Sequence, residues 1–116
     1  MPSVNKVFLV GHLGRDAELR VGKSGTSFSA FSVATNTGRG ETRKTEWTNC
    51  VAFGQNAEYL VANSHKGSLV MVEGSLSTRT YTDKAGAERK ATEVMVDHVS
   101  VLDKASTPTE VDELKF

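Results

Sequence analysis

The sequence predicts an all-β domain: a five-stranded barrel with one helix between strands 3 and 4, and a disordered C-terminal tail. Two observations carry this. Apolar and polar residues alternate in a series of short segments bounded by glycine-containing turns, the pattern of strands. Only one segment, residues 55–66, spaces its apolar residues as a helix does. A single helical pattern excludes an enzyme built on repeated strand–helix units.

Val4 to Gly11 reads as the first strand, with Val7, Leu9 and Gly11 on one side and Phe8 and Val10 on the other. Both sides are apolar, which suits a strand covered on both faces or lying at a subunit contact. Gly11 to Gly14 lets it bend, and Arg15 to Val21 continues it at a new angle. Gly22-Lys23-Ser24-Gly25 is a hairpin turn. Thr26 to Thr35 is the second strand; Phe28 and Phe31 have opposite parity, so an irregularity is expected between them. Asn36 to Lys44 is polar, basic and glycine-containing, a long flexible loop into the third strand. Gln55 to Lys66 is the helix, with Ala57, Leu60, Val61 and Ser64 at helical spacing and Lys66-Gly67 as its stop. Ser68 to Leu76 is the fourth strand. Ser77 to Lys90 is a second long polar segment that turns at Asp83-Lys84-Ala85-Gly86, and Ala91 to Leu102 is the last strand. Residues 1–103 form the domain and 104–116 a short acidic tail without periodicity. This succession of elements is that of an OB-fold barrel.

The third strand carries the functional signal. Read from Arg43 to Gly54, it places Trp47, Asn49, Val51 and Phe53 on one face and Thr48, Cys50 and Ala52 on the other. The small face suits the narrow interior of a barrel. That leaves the chain's one Trp, and Phe53, on the outer surface near Arg43 and Lys44. Flat aromatics beside cations are what stacking of unpaired bases requires. Burial of both rings is the competing reading, since most strand aromatics are buried.

Composition sets outer limits. The chain has 116 residues with 14 Lys+Arg against 14 Asp+Glu, so no net field marks a polyanionic partner. The balance is uneven: Glu110 to Phe116 hold three acids and one Lys, leaving a slight basic excess before them. One cysteine, Cys50, forms no internal disulfide, and the apolar run at residues 1–10 is too short for a signal peptide. A soluble, cytoplasmic protein without membrane contact is expected. His12, His65 and Cys50 lack metal-ligand or catalytic spacing, so neither enzymatic activity, metal nor cofactor is expected.

Several motifs together resemble the bacterial-type single-stranded DNA-binding proteins. They are Val4-Asn5-Lys6-Val7-Phe8-Leu9-Val10-Gly11-His12-Leu13-Gly14-Arg15-Asp16, Phe31-Ser32-Val33-Ala34-Thr35, Thr45-Glu46-Trp47, Val51-Ala52-Phe53-Gly54, Val72-Glu73-Gly74-Ser75-Leu76 and Thr78-Arg79-Thr80-Tyr81-Thr82-Asp83. The resemblance spans residues 4–102 and rests on the joint order of the motifs. It implies an OB-fold homotetramer that coats single-stranded DNA in replication, recombination and repair, and a tail that recruits replication and repair proteins. On the family's pattern Trp47, Phe53 and Tyr81 are the stacking aromatics; a further aromatic after the second strand is missing, and Arg39 lies roughly there. Asn5, Lys6, Arg15, Arg39, Arg43, Lys44, Arg79, Arg89 and Lys90 are the candidate phosphate or polar contacts. Asp112, Glu113, Leu114 and Phe116 are the candidate partner-binding tail, which departs from the family in having Lys115 where Pro is usual. An OB-fold RNA-binding protein is the alternative, because aromatics stack either nucleic acid.

Overall fold

A computed structural model of the chain describes residues 2–103. The tail residues Asp112, Glu113, Leu114 and Phe116 lie outside the described residues. The strands are β1 (Val7–Leu13), β2 (Arg20–Val21), β3 (Ser27–Thr37), β4 (Lys44–Phe53), β5 (Leu69–Thr82) and β6 (Glu88–Val101), with helix α1 (Gly54–Asn63) between β4 and β5. They run in the order β1-β5-β6-β4-β3-β2. β1 pairs first with β5, and its end pairs with β3 through His12–Ala34 and Leu13–Val33. One bent strand thus bridges both edges and closes the sheet into a barrel, removing most of the open edge. The two-residue β2 is the far half of the expected first strand, separated from β1 by irregular backbone. Counted that way, the helix falls between the third and fourth strands, as the sequence predicts.

Inward positions are small or branched. Val33, Cys50, Ala52, Val70, Val72 and Val94 are buried, with Leu13, Phe31, Val96, Val99 and Val101 completing the core. Helix α1 adds Ala57 and Leu60, both fully buried, and the Tyr59 hydroxyl accepts from the Val101 amide at 2.9 Å. Full burial of each aliphatic side chain is worth about 1.5–3 kcal/mol. The helix stops at Asn63, short of the expected Lys66, because the Ser64 amide and hydroxyl both bond the Leu60 carbonyl.

The four core valines of β6 do not share one parity, and a bulge resolves this. Glu73 faces His98 while Gly74 faces Val96, so Asp97 is an extra residue. The extra residue reverses the alternation, and Val94, Val96, Val99 and Val101 all point inward. The Asp97 carbonyl, set out of the ladder, accepts from Asn56 Nδ2 at 3.0 Å. A side chain on Gly74 would collide with the Met95 carbonyl.

Three expectations are corrected. No irregularity separates Phe28 from Phe31: the β3–β4 ladder runs unbroken from Phe28–Phe53 to Thr37–Lys44, so Phe31 points into the core and Phe28 outward. The loop at 36–44 shrinks to residues 38–43, closed by a 3₁₀ turn at Gly40–Thr42. The polar segment 77–90 is not a loop but a paired ribbon, from Ser77–Glu93 to Thr82–Glu88. Its threonines favour a pleated strand, and it extends beyond the core, so neither side needs to be apolar. Among the described residues no helix is long and apolar enough to cross a membrane.

Candidate nucleic-acid interface

Register builds one continuous outer face. Across β3 and β4 the outward pairs are Ala34–Trp47, Ser32–Asn49, Ala30–Val51 and Phe28–Phe53. Val51 then neighbours Met95 on the parallel β6. Beyond it come the outward pairs Met95–Ser75, Glu93–Ser77, Ala91–Arg79 and Arg89–Tyr81. Except at Phe28–Phe53, larger residues on β4 stand beside small ones on β3, which leaves a trough along the strand. Trp47 is 59% exposed, Phe53 42% and Tyr81 41%, so none of the three rings belongs to the core. Beside Phe53 a groove of about 520 Å³ is lined by Phe28, Val51, Met95, Arg79 and Glu93 among others.

Each ring is held by a neighbour. A Cβ built on Gly14 would lie 2.6 Å from Trp47 Cζ3, so the indole abuts bare backbone at the bend after β1. Phe28 and Phe53 have centroids 6.3 Å apart with planes tilted by 38°, within the range of favourable aromatic pairs. The Arg79 guanidinium sits 5.3 Å from the centroid of Tyr81, over its ring.

The candidate polar contacts divide. Arg15 lines a second groove beside Ser32, Asn49 and Glu93. Arg39 and Arg43 flank the 3₁₀ turn that leads into β4. These three and Lys90 have no carboxylate partner among the described residues; the other four candidate cations do. Lys6 reaches Glu73 at 3.0 Å, and Glu73 is the cross-strand neighbour of Phe8, so Lys6 stands away from the aromatics. Lys44 holds Glu46 at 2.9 Å; alternation turns both away from Trp47. That hydrogen bond, with the attraction of the same carboxylate, raises the Lys44 ammonium above its usual pKa. Lys90 faces Thr80, on the side of the ribbon opposite Tyr81. Asn5 engages Leu76 with both amide atoms at 2.9 Å, pinning the N-terminal segment to β5.

The ribbon tip is organised by Asp83. Its carboxylate accepts from Arg89 Nε and from the Ala85 and Ala87 amides, each at 2.9 Å. The Arg89 bond first, and the backbone donors after it, hold this carboxyl below its usual range. Under the trough, burial pushes the Cys50 thiol up to about 12, helped by the charge of Glu93; it is a neutral small hydrophobe at ordinary pH. Among the described residues no three His, Cys, Asp or Glu side chains gather as a metal site would need.

Sequence reasoning missed Gly14, Phe28 and Glu93. The Phe28–Phe53 pair was within reach: counting back from a short turn at 38–43 sets the register that pairs them. The other two meet their partners only through tertiary closure.

A closed five-stranded barrel with one helix and an aromatic outer face defines the class, an OB-fold module. Residues 4–102 match the single-strand binding protein family. A single-stranded DNA-binding protein of Bacteroides thetaiotaomicron is 39% identical over 108 residues, 86% of this chain and 66% of its own length. Single-stranded DNA-binding protein 1 of Xylella fastidiosa is 41% identical over 111 residues, 90% of this chain and 81% of its own length. The chain belongs to the single-strand binding protein family.

Proposed function

We propose that this chain binds single-stranded DNA without reading its sequence and coats exposed strands in replication, recombination and repair. The observation that carries the reading is the continuous face bearing three exposed, individually supported rings, Trp47, Phe53 and Tyr81. Each stacked base contributes about 1–3 kcal/mol whatever its identity, so the mechanism is stacking plus neutralisation of phosphates, with no catalytic step. RNA stacks on the same rings, and DNA is favoured here because the similar proteins of Bacteroides thetaiotaomicron and Xylella fastidiosa are single-stranded DNA-binding proteins. If only the four cations without a carboxylate partner act, the salt slope is about −3 per subunit; full engagement of all eight gives about −6.

The reading includes assembly into a homotetramer, which the β1 face supports. Phe8 is 64% exposed, Val10 stands beside it, and among the described residues Val7 to Val10 pair only with β5. An apolar face next to an open edge fits a second copy of the chain, and linked subunits raise affinity through effective concentration. In the tail, Phe116 with Asp112, Glu113 and Leu114 serves to recruit replication and repair proteins, in the cytoplasm at the nucleoid. Removing residues 114–116 is expected to abolish capture of such partners while leaving DNA affinity intact; unchanged capture removes this role.

The deciding experiment is titration with oligo-dT followed by Trp47 fluorescence across salt, with a matched RNA as competitor and light scattering for mass. Quenching with a slope near −3 per subunit and preference for DNA is expected. Absence of quenching refutes the stacking face, and preference for the RNA transfers the function to RNA.

A further inference from the structure

We propose that Arg79 is a positioning residue: anchored by Glu93, its guanidinium backs Tyr81 for base stacking, and it is not a phosphate contact. This rests on the reading that Tyr81 stacks a base.

Arg79 and Tyr81 are two residues apart on the outward side of β5. Arg79 Nε donates to Glu93 Oε1 at 2.8 Å, and the Glu93 side chain is only 15% exposed. Withdrawing the guanidinium would leave a half-buried carboxylate without its cation, a costly state. The same guanidinium lies over the Tyr81 ring, where its planar shape stacks and an ammonium would not. Swinging out to a distant phosphate would mean abandoning both contacts, and a phosphate brought to the free Nη groups would meet the Glu93 carboxylate beside them. Glu93 also lines both grooves of the face. A carboxylate there repels phosphate and cancels the charge of the cation it holds. Had Arg79 served phosphate, Glu93 would oppose binding and its removal would tighten it. As the anchor of a ring support, Glu93 favours binding, so the two accounts differ in sign. One face of Tyr81 is occupied by Arg79, which directs a base to the other.

The test uses the full chain, a dT oligonucleotide as probe and titrations over a range of salt. Arg79→Lys keeps the charge and loses the planar support; roughly threefold to tenfold weaker binding is expected, with the salt slope unchanged. Glu93→Gln is expected to weaken binding as well. In a Tyr81→Ala background Arg79→Lys is expected to cost nothing further, since its effect passes through the ring. Wild-type affinity of Arg79→Lys, a slope reduced by about 0.7 in Arg79→Ala, or tighter binding by Glu93→Gln each overturns the proposal. Should Glu93→Gln fail to fold, the exposed Arg79→Lys and its cycle with Tyr81 decide. If Tyr81→Ala alone costs nothing, the stacking reading at this ring has failed and takes the proposal with it. If Tyr81→Ala weakens binding and Arg79→Lys does not, only the proposal has failed.

Discussion

The barrel carries two exposed apolar surfaces, and they are built differently. On the face of β3, β4 and the ribbon, Trp47, the Phe28–Phe53 pair and Tyr81 stand apart, separated by Asn49, Ser32, Ser77 and Glu93. On the β1 face, Phe8 and Val10 follow one another on one side of the strand, with Glu73 across from Phe8, Met71 across from Val10, and His12 paired to Leu69 beyond them. Lys6 and Glu73 close that patch with an ion pair of their own. A spaced set of supported rings accepts flat, polar-edged ligands one at a time, each base keeping its edges in water. An apolar run with one ring, Phe8, beside an open strand edge offers fewer stacking platforms to bases and more to another protein surface. Exposed hydrophobic area is therefore not one property: its interruption by polar groups separates a nucleic-acid face from a subunit face.

The strongest way to break this comparison is to charge the apolar run. Val10→Asp puts a carboxylate where a second copy would cover it, at a cost of several kcal/mol. Light scattering is expected to show monomers, which still quench Trp47 with oligo-dT but bind it more weakly. Unchanged mass would show that the run is not the subunit face. Next, Trp47→Ala is expected to lose about 1–3 kcal/mol of affinity for single strands with little change in melting temperature and none in assembly. A large fall in melting temperature with full affinity would return Trp47 to a structural role. A smaller effect tests the support of the ring. Gly14→Ala meets only the far edge of the indole and the Ser32 hydroxyl within 3.3 Å, so folding survives while the ring shifts. About 1 kcal/mol of affinity is expected to go, together with a change in tryptophan emission; an unchanged spectrum with full affinity would make the seat irrelevant.

The smallest effect is one of pH, confined to the ribbon tip. Because the folded Asp83 carboxyl titrates below its usual 3.8, its contribution is fully present above that value. It is lost as pH falls through the lowered one. Amide exchange at Ala85 and Ala87 is expected to quicken in that acid range while the β1 amides hold, and Asp83→Asn should remove the pH dependence. Equal loosening of both regions would mean that the tip does not titrate on its own.

The sequence by itself determined the strands of the barrel body, the lone helix and which residues of β4 share a face. That Trp47 and Phe53 share one side and Cys50 and Ala52 the other follows from local alternation, because successive side chains of a strand must point to opposite sides; alone the stretch favours burying the rings, and it is the closed barrel that puts them outside. It did not determine which strands meet, nor at what register. Only closure of the barrel sets the edge of Trp47 against Gly14. Only the bulge at Asp97, permitted by Gly74 and capped by Asn56, puts all four β6 valines inside. Only the pairing of two polar strands turns an expected loop into the ribbon where Glu93 meets Arg79 and Arg79 meets Tyr81. Sharing a face is a property of neighbours in the chain and can be read one residue at a time. Register is a property of the whole closed sheet, because shifting one pair moves every other.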